Sequence, residues 1–76
     1  MDKRDQLIEF IIQDIIVFIT ENRKVEFDTA MRMLYTSETF LKLQDRETGL
    51  YVESSSYVYE LFREELEMGQ FLQREL

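Results

Sequence analysis

The fold is decided by one stretch near the start of the chain, which is LIEFIIQDIIVFI at residues 7–19. With the step of about 100° per residue of an α-helix, its apolar side chains cover well over half of the circumference. Only Glu9, Gln13 and Thr20 remain on a narrow polar strip, whereas a surface helix usually has an apolar stripe little wider than about 100°. We therefore predict a helix over Asp5–Asn22 that contacts protein on two sides. Two interpretations stay open: a central helix of the core, or a helix that is also buried in a dimer or partner interface.

The same run does not predict a membrane segment. It has 13 residues, with Glu9, Gln13 and Asp14 inside it, whereas a spanning helix needs about 20 mostly apolar residues. Lys3 and Arg4 resemble the basic start of a signal peptide, but charges interrupt the apolar part and no small-residue cleavage site follows. We expect a cytoplasmic protein that does not enter a membrane.

Length and composition limit the function classes. The chain has 76 residues, so we predict a single small helical domain, 1–76, with one small core. It has no cysteine and no histidine, which excludes disulfides, thiolate nucleophiles, Cys/His zinc sites and imidazole acid–base chemistry. A net charge of −7 argues against nucleic-acid binding, which needs a basic face. The lack of cysteine is compatible with a reducing cytoplasm.

The middle of the chain predicts two short helices. Asp28 is a good N-cap for a helix that places Phe27, Met31 and Leu34 on one face. Ser37 then offers a second cap or a break, and a short apolar run follows at residues 40–43. One bent helix over residues 28–44 is the alternative, but we favour two helices.

A polar turn separates these helices from the last one. Asp45–Gly49 is that turn, and Gly49 is available for a positive φ. We expect Leu50–Val52 to be a short extended connector whose side chains fill the core. The acids of the turn faintly resemble a calcium loop, but the sixth and twelfth positions of an EF-hand would hold Leu50 and Ser56 instead of glycine and glutamate. A glycine-containing turn with solvated acids is favoured, and no metal site is predicted.

The last predicted helix follows the serines at residues 54–56, which we interpret as capping residues. Its apolar positions have helical spacing: Val58, Leu61, Phe62 and Leu66. Arg63 is spaced to pair with Glu60 and Glu67, and Gly69 is expected to end or loosen the helix. The fold class is therefore all-α, a compact bundle of three to four helices.

Two residue types invite a catalytic interpretation. Asp14 lies at the edge of the apolar arc, where a buried carboxylate can act as a general acid or base. No histidine, cysteine or lysine is spaced to assist it, and a partner arginine or the Tyr35 hydroxyl would satisfy it equally well. The serines at residues 54–56 lack a histidine base. We expect no catalytic residue, no cofactor and no enzyme activity.

The last helix also carries a candidate binding surface. Tyr57 and Tyr59 are two residues apart, so they cannot both point the same way on a helix, and at least one is expected to lie outward. Tyrosine supplies large contact areas at interfaces, and the neighbouring Glu60 and Glu64 would steer a basic partner. We predict partner binding by these four residues, although the acids alone also suit a solubilising surface.

Residues 40–62, with Asp14–Ile16 upstream, resemble a family of small uncharacterised bacterial proteins that are acidic and helical. The most distinctive motif is Glu47–Tyr51, ETGLY. Members of the family occur near ADP-ribosyltransferase-like toxins, so the resemblance implies an antitoxin-like or accessory role, and it assigns no site residue.

Our leading hypothesis is a non-enzymatic protein-binding module, antitoxin-like or regulatory, with an acidic face that bears tyrosine. The alternative is a structural homodimer that self-associates through the first helix.

Overall fold

Four α-helices follow one another along the chain, and the computed structural model describes the backbone of residues 3–75 and the side chains of residues 3–69. They are α1 (Lys3–Arg23), α2 (Phe27–Tyr35), α3 (Glu38–Gln44) and α4 (Ser55–Glu75). Two 3-10 turns, Arg46–Thr48 and Leu50–Val52, lie between α3 and α4. The described backbone contains no strand, and the prediction of an all-α bundle is confirmed.

The core is built on one face of α1. Isoleucine is not a strong helix former, because its branched side chain loses rotamer freedom in a helix. Burial outweighs this, since one buried isoleucine contributes about 1.5–3 kcal/mol. The buried face of α1 consists of Ile8, Ile11, Ile12, Ile15, Ile16 and Ile19. The other elements contribute Ala30, Leu34, Leu43, Leu50, Val58 and Phe62 to the same cluster.

The helices α1 and α4 run parallel, side by side. The Ser55 hydroxyl donates to Oδ2 of Asp14 at 2.6 Å, and the rings of Phe18 and Tyr59 meet at 5.4 Å between centroids. The second contact is four residues further along both helices, so both chains advance in the same direction.

The described residues cover only one side of α1. Leu7, Phe10 and Val17 lie on the other side and are 42%, 66% and 48% exposed. The central position of α1 in the core is therefore clear, whereas contact with protein on a second side stays a prediction.

Residues 28–44 form two helices, as predicted, but α2 begins one residue before Asp28. The cap position is Glu26, whose carbonyl accepts from the Ala30 N–H at 2.9 Å and whose side chain makes no capping bond. The early start of α2 follows from the short connection to α1. In this connection Lys24 adopts a left-handed φ of 56°, which reverses the direction of the chain before Asp28. Asp28 lies instead in the first turn of α2, where a negative charge still favours the helix dipole.

Ser37 caps α3, as predicted. Its Oγ accepts from the Phe40 N–H at 3.1 Å and donates to the Leu34 carbonyl at 2.6 Å. One hydroxyl therefore closes the end of α2 and the start of α3, and its extended backbone breaks the helix between them.

Gly49 has the positive φ that was predicted, 66°, at the junction of the two 3-10 turns. The expectation of an extended connector was wrong, because Leu50–Val52 is the second of these turns. Left-handed Gly49 folds the chain back, so that its carbonyl accepts from the Val52 N–H at 3.2 Å. Leu50 enters the core, while Val52 stays 69% exposed.

Gly69 does not end α4, which continues to Glu75. A glycine with ordinary helical dihedral angles weakens a helix without stopping it.

Candidate functional site

The start of α4 is fixed by two of the three serines. Ser54 Oγ accepts from the Tyr57 N–H at 3.1 Å, which confirms a capping role. Ser55 instead bonds to the carboxylate of Asp14. Asp14 is exposed rather than buried, and its partner is this serine hydroxyl, not an arginine or Tyr35. The bond holds the first turn of α4 against α1 and so fixes the orientation of the side chains that follow.

Three of the four predicted binding residues share one side of α4. Tyr57 is 51% exposed, and Glu60 and Glu64 are exposed. They lie at spacings of three and seven residues, which places them on one face of a helix. The partly buried Leu61 and the 65% exposed Met68 belong to the same side. We call Tyr57, Glu60, Leu61, Glu64 and Met68 the α4 face.

Tyr59 lies on a different side of α4. Its ring is half-buried against the core and contacts Phe18 and, at 6.3 Å between centroids, Phe62. The expectation that at least one of the two tyrosines points outward is confirmed, and Tyr57 is that residue. Tyr59 and Glu60 also line an open cleft of about 630 Å³ near the end of α1.

Arg63 forms ion pairs with two of the acidic residues of α4 and leaves Glu64 without one. It donates to Glu60 at 2.8 Å and to Glu67 at 2.9 Å, so both predicted ion pairs are present. The hydrogen bond to Glu60 and the attraction of the surrounding carboxylates raise the pKa of Arg63 above its ordinary value. On the alkaline side the pairs persist until the pH rises through that raised value, and near neutral pH salt weakens them. Glu64 makes no ion pair with any described residue.

A groove of about 570 Å³ extends the α4 face toward α3. Leu61, Glu64 and Met68 line it from α4, and Lys42 is among the lining residues of α3. Its lining is mainly apolar, with Leu61 and Met68 contributing to it, and it also includes charged side chains. Such a groove suits the apolar side of a partner helix.

Glu65 holds α3 in place beside this groove. Its carboxylate accepts from the backbone N–H groups of Glu38 and Thr39 at 2.7 and 2.8 Å, and from the Thr39 hydroxyl at 2.8 Å. The role of this residue was not predicted from the sequence, because its partners are 26 and 27 residues away and no local pattern links them. The only local signal was that Glu65, on the helical wheel of α4, lies on the apolar arc between Leu61 and Leu66.

Within the part of the chain that the structure describes, no three acidic side chains converge as metal ligands do. No described helix combines the length and the apolar character needed to cross a bilayer. No family model, curated protein or solved structure matches this chain. The relationship indicated by residues 40–62 stays a prediction.

Proposed function

We propose that this chain is a non-enzymatic protein-binding module that recognises a basic partner through the α4 face. The observation that carries the proposal is the position of Tyr57, half exposed on the same helix side as the unpaired carboxylate of Glu64. A ring in this position offers contact area that is desolvated on binding, while the charge attracts a basic partner over a longer distance.

The groove beside α3 supports the same surface as the point of contact. Leu61 and Met68 would pack against apolar side chains of a partner helix, and Glu60 and Glu64 would face its basic residues. The resemblance of residues 40–62 supports a narrower role for this module, antitoxin-like or regulatory, in which the partner is a toxin.

Affinity capture with matched variants tests the proposal. Wild type, Tyr57→Ala, Glu60→Gln/Glu64→Gln and the control Glu26→Gln/Glu47→Gln are immobilised and exposed to lysate of the native host. The control removes the same charge from two exposed carboxylates outside α4, neither of which makes a side-chain hydrogen bond or ion pair to a described residue. We expect a basic protein that wild type and control retain in stoichiometric amount, and that both α4-face variants release.

A protein retained equally by all four would place the binding surface elsewhere on the chain. The absence of any protein specific to the wild type would argue against a binding module.

A further inference from the structure

The exposed side of α1 carries a regular seam. Its positions are separated alternately by four and three residues, which is the heptad spacing of helices that pair side by side. All of its side chains are exposed. The seam consists of Lys3, Leu7, Phe10, Asp14, Val17 and Glu21.

The seam of one copy matches the seam of a second copy that runs in the opposite direction. If two copies of α1 cross antiparallel with residue 12 at the centre, Leu7 of one copy faces Val17 of the other. At the ends of the seam, Lys3 faces Glu21. A two-fold axis repeats every contact, so each end of the pair joins opposite charges and the apolar contact between Leu7 and Val17 occurs twice. The remaining pair is Phe10 against Asp14, whose Oδ2 is already bonded to Ser55.

We propose that the protein forms a homodimer in which α1 pairs antiparallel with α1 of a second copy in this register. A parallel pair would place Lys3, Asp14 and Glu21 each against its own copy, three like-charge layers that oppose association. Charge complementarity therefore selects both the occupant of the seam and its direction. The seam lies on α1 and shares no residue with the α4 face. The dimer and the proposed binding function are therefore tested independently of each other.

Cysteine cross-linking tests the register directly, because the chain has no cysteine of its own. In the proposed dimer the double variant Leu7→Cys/Val17→Cys brings the new thiols opposite each other, and mild oxidation should give a covalent dimer. Each single variant should stay uncross-linked, since the two copies of one position are ten residues out of register. That is about 15 Å along the helix, beyond the span of about 7 Å that a disulfide allows.

The second test exchanges the charges at the ends of the seam, and sedimentation equilibrium at low salt measures the dimerisation affinity. Lys3→Glu and Glu21→Lys should each weaken dimerisation by roughly ten-fold, because each turns two attractive pairs into repulsive ones. The double variant Lys3→Glu/Glu21→Lys should restore wild-type affinity. All these positions are exposed, so the circular dichroism spectrum and the thermal midpoint of the variants serve as the folding control.

Wild type that remains monomeric at hundreds of micromolar would overturn the proposal. Single-cysteine variants that cross-link as readily as the double variant would contradict the antiparallel register, as would a double charge exchange without recovery.

Discussion

At the scale of single residues, Glu65 connects parts of the bundle that are distant in sequence. Its two oxygens accept the N–H groups of Glu38 and Thr39, which are among the donors that a helix leaves unsatisfied at its start. Ser37 accepts the next one, from Phe40. The first turn of α3 is therefore held by a side chain of α4, and a helix of only seven residues depends on such support because it is too short to be stable alone.

Removing this carboxylate should destabilise the fold. We expect Glu65→Ala to lower the free energy of unfolding by about 1–2 kcal/mol, because two backbone donors and the Thr39 hydroxyl lose their acceptor. Urea unfolding measures the change. Glu64→Ala is the matched control, because Glu64 is one residue away and its side chain makes no hydrogen bond or ion pair to a described residue, and it should stay within about 0.5 kcal/mol of wild type. Equal losses in both variants would mean that the hydrogen bonds to α3 contribute nothing specific.

Lys24 is a second residue whose contribution can be isolated. Its φ of 56° crowds a side chain that has a Cβ, whereas glycine adopts this conformation freely. We expect Lys24→Gly to raise the free energy of unfolding by about 0.5–1 kcal/mol. Lys24→Ala keeps the Cβ and should give no such gain. If both variants changed stability alike in thermal unfolding, loss of the lysine side chain rather than backbone relief would be responsible.

At the scale of elements, Gly49 and Gly69 can be compared directly, because they differ in backbone conformation but not in the space around them. A Cβ added at Gly49 or at Gly69 would meet no atom within 4 Å, so backbone conformation alone decides the effect of a substitution. Gly49→Ala should destabilise the protein by about 1–2 kcal/mol, because its φ is 66°. Gly69→Ala should stabilise α4 by up to about 1 kcal/mol, because Gly69 has no positive φ and lies inside the helix. Chemical denaturation of both variants should show opposite signs, and a shared sign would refute the assignment of these two backbones.

The elements also show what could be predicted from the sequence. The apolar helix α1, the break at Ser37 and the left-handed Gly49 were predicted because each signal is local. Which apolar side chains of α1 are buried was not predicted. The early start of α2 was missed, since it depends on Lys24, a residue type that rarely adopts a left-handed conformation. The turn at Leu50–Val52 was missed because three apolar residues carry no period that distinguishes a 3-10 turn from an extended segment.

Of the candidate site, only the features with a local signal in the sequence were predicted. Helical spacing separated Tyr57 from Tyr59, and the structure places only Tyr57 on the outward side. Spacing within α4 gave no sign of the groove that Leu61 and Met68 form with α3. That groove depends on how α3 is positioned, and its position depends on the long-range contact made by Glu65.

At the scale of the whole molecule, thickness explains why so much apolar surface stays exposed. The Cα positions span 41 × 27 × 17 Å. The shortest dimension accommodates two layers of helices, because two packed axes about 8–10 Å apart with Cα radii of about 2.3 Å need roughly 13–15 Å. Each long helix therefore has one uncovered side. In α1 that side carries the seam, and in α4 it carries Tyr57 and the acids, so the molecule offers two separate surfaces.

The net charge of −7 belongs to this scale as well. The chain has sixteen acidic and nine basic side chains, and this excess of negative charge attracts basic partners. Association with a basic protein should therefore be fast at low salt and slower as the Debye length shortens.

The central claim is that the α4 face binds a basic protein, and binding kinetics of the captured partner test it most directly. We measure association and dissociation rates at low and high salt for wild type, Tyr57→Ala, Glu60→Gln/Glu64→Gln and the control Glu26→Gln/Glu47→Gln. Tyr57→Ala should weaken binding by about 2 kcal/mol or more, through faster dissociation at both salt concentrations. The double glutamine variant should slow association at low salt only, and by more than the control, because its charges lie at the contact. Rates for Tyr57→Ala equal to wild type, together with equal association rates for the two double variants, would contradict the account.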